Sequence, residues 1–202
     1  MLLRKKEEIE TWLNKYLIKN YELISNEEYG YIVDVNTDVD LSCYQLDYLK
    51  VKFNVVNGSF NCSFNELISL KGSPKIVNKS FFCNNNKLKS LKYSPNIIQK
   101  NFDCSNNKLI SLKYCPKIIE YYFYCSYNKL SIEGLKYLPK AISKNYIYID
   151  NNEKLNDLQN INDFKILKIK VEEILKIKKE KENLLNNINK KDLNKNKVVS
   201  KI

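Results

Sequence analysis

The sequence predicts an α/β solenoid of about six coils, with a helix and hairpin at the N-terminal end and a basic helix at the C-terminal end. Three observations carry this. The strings Phe60-Asn61-Cys62-Ser63-Phe64-Asn65-Glu66-Leu67, Phe81-Phe82-Cys83-Asn84-Asn85-Asn86-Lys87-Leu88, Phe102-Asp103-Cys104-Ser105-Asn106-Asn107-Lys108-Leu109 and Phe123-Tyr124-Cys125-Ser126-Tyr127-Asn128-Lys129-Leu130 repeat one pattern at a constant step of 21 residues. A fixed period of that length marks stacked structural repeats. Leucines keep their place relative to each cysteine, five after it (Leu67, Leu88, Leu109, Leu130) and eight after it (Leu70, Leu91, Leu112). Finally, the net charge of +11 is uneven, with 12 lysines against 5 acids in residues 164–202, so the tail is the basic part.

At the start, Ile9, Trp12, Leu13, Tyr16 and Leu17 follow the spacing of one helical face. The β-prone runs Tyr21 to Ile24 and Tyr31 to Val35 flank a polar loop ending in Gly30, which predicts a hairpin. Residues 1–38 are therefore read as an N-terminal cap. Counting back 21 from Phe60 and Cys62 gives Val39 and Leu41, where the first coil begins. Counting forward, Ile147-Tyr148-Ile149 with Asn152 and Leu155 forms a last coil, after a three-residue expansion around Pro139. The solenoid spans residues 39–162. In residues 163–202, Phe164, Leu167, Val171 and Ile174 predict a helix capped at Asn162 or Asp163. The polar run Lys178 to Asn183 should interrupt it, and the stretch from Asn186 to Ile202 should fray.

Within a coil, Phe-x-Cys makes a short strand with two inward side chains, and stacking lays these strands side by side in parallel. Asn65, Asn86, Asn107 and Asn128 fall in the turn that follows, where an amide can satisfy backbone groups of neighbouring coils. Pro74, Pro95 and Pro116 leave room only for an extended or polyproline-like outer wall. The phrase Leu-x-Leu-x-x-Asn-x-Leu, with Phe and Cys for its first two leucines, resembles the leucine-rich repeat family over residues 39–158. More narrowly, Phe-x-Cys-Ser-x-Asn-x-Leu-x-Ser-Leu-Lys-x-x-Pro resembles short repeat proteins of bacteriophage genomes. The resemblance implies a right-handed solenoid with a concave parallel sheet. Tyr44 departs from it, standing where the first asparagine should be.

Histidine is absent, no Cys-x-x-Cys pair occurs and no phosphate-binding glycine loop is present. The expectation is a protein without enzymatic activity, metal or cofactor. The early charges Arg4 to Glu8, and the lack of an apolar run of about 18 residues, predict a cytoplasmic chain with no membrane partner and free thiols. Strand residues facing outward on the concave side become aromatic toward the C-terminal coils: Phe82, Tyr122, Tyr124, Tyr127, Tyr146 and Tyr148, with Asp103 and Asp150 beside them. Clustered exposed aromatics anchor protein partners, unless the C-terminal helix covers them as a cap. An alternative lies nine residues after each cysteine position, where Lys50, Lys71, Lys92 and Lys113 form a column. With the basic tail it could hold nucleic acid, directly or through a ribonucleoprotein partner, although a solvated edge explains it as well. The phage resemblance implies a host protein as partner, for instance a CRISPR effector nuclease that the chain would inhibit. A structural role in a virion is a third reading.

Overall fold

A computed structural model describes the backbone of residues 1–199 and the side chains of residues 1–188 other than Asn156. Helix α1 (Lys6–Lys15) is followed by strands β1 (Tyr21–Asn26), β2 (Gly30–Val35), β3 (Val39–Asp40), β4 (Phe53–Val56), β5 (Phe60–Asn61), β6 (Ile76–Val77) and β7 (Phe81–Phe82). Then come β8 (Ile97–Ile98), β9 (Phe102–Asp103), β10 (Ile118–Ile119), β11 (Tyr122–Tyr124), helix α2 (Ile132–Leu135), β12 (Ala141–Ile142), β13 (Tyr146–Tyr148) and helix α3 (Phe164–Val199). The strands form two sheets. The first, in order β13-β11-β9-β7-β5-β3, holds the Phe-x-Cys strands, and the second, in order β1-β2-β4-β6-β8-β10-β12, lines another wall. All pairings are parallel except β1 with β2. The chain is a parallel β-solenoid of about six turns.

The second sheet departs from the expected unpaired outer wall. Val55-Val56, Ile76-Val77, Ile97-Ile98 and Ile118-Ile119 pair in register, one β-branched dipeptide per coil. Val56, Val77, Ile98 and Ile119 turn inward and are buried. Two residues are too few to show an alternation in sequence, so only their recurrence could have revealed the strand.

Inside, Phe53, Phe60, Phe81, Phe102 and Phe123 form a column of contacting rings, with centroids 5.0, 5.7, 5.9 and 5.2 Å apart; the first pair meets edge-on, the third is tilted, and the second and fourth are stacked. Cys62, Cys83, Cys104 and Cys125 are fully buried and free. Burial raises each of these thiols well above its ordinary range, so the column packs as small apolar groups.

The asparagines close the turn between coils. Asn107 accepts from the Leu88 N–H at 2.9 Å and donates to the carbonyls of Cys83, Cys104 and Ser105 at 3.0, 3.2 and 3.1 Å. Asn65, Asn86, Asn128 and Asn152 do the same for their own pairs of coils. Where Tyr44 breaks the column, its ring instead meets Tyr16 edge-on at 4.8 Å. The asparagine is not needed there because no coil precedes it.

At the N-terminal end, Ile9 and Leu13 of α1 are buried and Trp12 meets Phe53 at 6.3 Å. At the other end, two of the three extra residues are absorbed by α2, whose N-cap Ser131 accepts from Gly134 N–H at 3.1 Å, and the third falls between β12 and β13. A Cβ on Gly134 would lie 2.3 Å from the Ile110 carbonyl, so only glycine lets α2 approach the previous coil. Asp163 caps α3 by accepting from Ile166 N–H at 3.0 Å, and Phe164, Leu167 and Val171 cover the last coil. Helix α3 then runs unbroken through the polar run to Val199, where an interruption and fraying were expected. Lysine and glutamate are good helix formers, so that run prolongs the helix. The rest of the stretch expected to fray, Ser200 to Ile202, lies outside the described residues.

Candidate functional site

Because Phe and Cys of each first-sheet strand, replaced by Val39 and Leu41 in β3 and by Ile147 and Ile149 in β13, point inward, the residue between them points out. Strand register therefore builds one external row: Asp40, Asn61, Phe82, Asp103, Tyr124 and Tyr148. A second row on the same face ends in Tyr122 and Tyr146, which are also paired. Four of the rings touch. Tyr124 stacks on Tyr148 at 4.8 Å with planes 9° apart, Tyr122 lies 5.6 Å from Tyr146, and Tyr122 lies 6.2 Å from Tyr124. Neighbouring strands of parallel sheet are spaced so that flat side chains on adjacent coils meet without bending the backbone.

Other residues of the expected site are placed differently. Phe82 is half-buried across Asp103 from Tyr124. Tyr127 stands in the turn beyond the strand, exposed and outside the ring cluster, with its backbone in the left-handed region. Asp150 is engaged in structure, since its carboxylate accepts from Asn160 N–H at 2.7 Å. Helix α3 begins beside this face, where Asp163 bridges Tyr146, and it then packs against α2. Tyr146 remains 48% exposed and Tyr127 60%. The helix covers the end of the stack and leaves these aromatics accessible.

Asp103 is the one carboxylate set between aromatic neighbours in the row. It accepts from Ser105 N–H at 2.9 Å and Ser105 O–H at 2.6 Å, yet burial outweighs these bonds and raises its carboxyl above the usual range. Burial, and then the neighbouring Tyr148, likewise raise the Tyr124 phenol, which therefore stays neutral at physiological pH. For an acid whose folded pKa is raised, the folded state holds the proton more tightly, so stability falls as pH climbs from the unfolded aspartate range through the folded value. Asn61 holds the same two bonds to Ser63 in an earlier coil, which shows that an amide fits this position. Asp103→Asn is therefore expected to fold, to melt higher than the parent at neutral pH, and to lose that advantage as pH falls toward the aspartate range. Melting curves across pH check this; an unchanged difference at every pH would show that Asp103 ionises freely.

The lysines stand elsewhere. Lys50, Lys71, Lys92 and Lys113 occupy the exposed bend leading into the second sheet, and the structure does not bring them to the tyrosine cluster. Beside them is a feature that sequence reasoning missed. Tyr93 and Tyr114, each following a lysine of the column, form with Ile97, Cys115, Lys117 and Ile118 a surface groove of about 730 Å³. The recurring Lys-Tyr dipeptide was its only sequence signal. Among the described residues, no helix is long and apolar enough to cross a membrane.

Fold and surface together define a two-sheet parallel β-solenoid that carries a tyrosine cluster at the C-terminal end of its first sheet. No family model matches the sequence, and neither curated proteins nor solved structures give a significant match.

Proposed function

We propose that the chain is a non-catalytic binding module that holds another protein through the face bearing Tyr122, Tyr124, Tyr146 and Tyr148. The observation that supports this reading most directly is the contact among four rings at the C-terminal end of this outward face. Rigid aromatic side chains already packed on one another lose little entropy on binding and bury large area, which is what binding hot spots require. The finer reading is that of a right-handed, leucine-rich-repeat-like solenoid whose first sheet is concave, with Phe82 and Asp103 extending the contact surface. The resemblance to phage repeat proteins extends the proposal to a partner from a bacterial host, a defence nuclease among the candidates.

The test is affinity capture from bacterial lysate treated with nuclease, followed by measurement of binding to the captured protein. Tyr124→Ala with Tyr148→Ala is expected to weaken that binding by roughly 30-fold or more, the effect of losing at least one hot spot of about 2 kcal/mol. Because both rings lie outside the core, the circular dichroism spectrum should not change. Undiminished binding would move the interface off this face.

A further inference from the structure

We propose a second site, for single-stranded nucleic acid, on the bend leading into the second sheet, with Tyr93, Tyr114 and Tyr137 as stacking platforms and Lys92, Lys113 and Lys136 as phosphate contacts. The three rings are 45%, 52% and 37% exposed. The ammonium of Lys92 lies 5.2 Å from the centre of the Tyr93 ring, that of Lys113 lies 5.1 Å from Tyr114, and that of Lys136 lies 5.0 Å from Tyr137. Among the described residues, none of these lysines is paired with a carboxylate. Each of three successive coils thus offers one flat ring and one uncompensated cation, the two elements by which proteins hold single strands. The adjoining groove adds Lys117 and the apolar edges of Ile97 and Ile118, with Glu120 as the only carboxylate in its lining.

Backbone geometry points the same way. Tyr93 and Tyr114 have φ of 74° and 71°, a region that penalises bulky side chains. The preceding coil fills the same place with Gly72, at φ 106°. Tyrosine is therefore held where glycine would cost the fold less, and strain of that kind gathers at ligand-holding positions. Spacing selects the ligand. Coils repeat at about 4.8 Å, whereas a stacked duplex strand advances about 3.4 Å per nucleotide. Bases matching the coils must be separated from one another, which a single strand allows and a duplex does not. This site lies off the tyrosine cluster of the first sheet, so it stands or falls independently of the protein-binding reading.

Fluorescence anisotropy with labelled oligothymidylate, and with a duplex of equal length, over a series of salt concentrations tests the proposal. The single strand should bind in preference to the duplex, and log affinity should fall against log salt with a slope of about −0.7 for each lysine engaged. Tyr93→Gly with Tyr114→Gly should keep or raise the melting temperature, because Gly72 already occupies this backbone geometry, while weakening binding about a hundredfold, tenfold for each base unstacked. Lys92→Gln with Lys113→Gln should lower both affinity and salt slope. No binding at low salt, equal binding of duplex, or full affinity in the double glycine variant would each overturn the site.

Discussion

Phe102→Ala is expected to destabilise the protein by about 4 kcal/mol, within the range for truncating a fully buried phenylalanine. Its ring is fully buried between Phe81 and Phe123, at centroid distances of 5.9 and 5.2 Å. The void cannot collapse easily, because the coil spacing is set by backbone hydrogen bonds on both sides: Phe81 N–H to Asn101 at 2.9 Å and Cys104 N–H to Tyr124 at 2.9 Å. Phe102→Leu keeps most of the volume and should cost less than about 1.5 kcal/mol. Urea denaturation of the two variants measures the difference. Equal midpoints would show that the phenylalanine column is not a close-packed stack.

Asn107→Ala is expected to cost about 3 kcal/mol. Removing the amide leaves the Leu88 N–H and the Cys83 carbonyl without their side-chain partner in a buried turn, and stranded groups of this kind cost about 1 to 3 kcal/mol each. Asn107→Asp separates the two roles of the amide. A carboxylate still accepts from Leu88 but faces three carbonyl oxygens that the Asn107 amide nitrogen had bonded. Burial and those oxygens favour the protonated acid, so the folded-state pKa of the new group should be raised. The aspartate variant should therefore lose stability as pH rises above the unfolded aspartate range and regain part of it on acidification. Stability that does not change with pH would mean that the turn admits water at this position.

The Phe-x-Cys strands, the leucine columns and the asparagine turn could be read in advance because each recurs at 21-residue spacing and each has one physical role in every coil. The outward row was legible for the same reason, since alternation along Phe-x-Cys assigns Phe82, Asp103, Tyr124 and Tyr148 to one face. What could not be read was contact between columns. Tyr122 and Tyr146 precede the motif, and only parallel register shows that they meet each other and the Tyr124 pair. Asp150 belongs by spacing to the face, yet its bond to Asn160 depends on how the chain returns after the last coil. Tyr93 and Tyr114 carry only the recurring Lys-Tyr dipeptide as a signal, and their exposure follows from a left-handed bend that most sequences would give to glycine.

By itself the sequence determined the repeat, its inward columns and the number of coils, because a structure that stacks on itself must write the same burial pattern once per turn. Tertiary structure decided the rest: a second sheet from two-residue strands, a single unbroken C-terminal helix, and the grouping of outward side chains into a tyrosine cluster on one wall and a lysine and tyrosine ladder on another. Those depend on register between coils, and register is a relation between segments 21 or, in the last coil, 24 residues apart that no single segment contains.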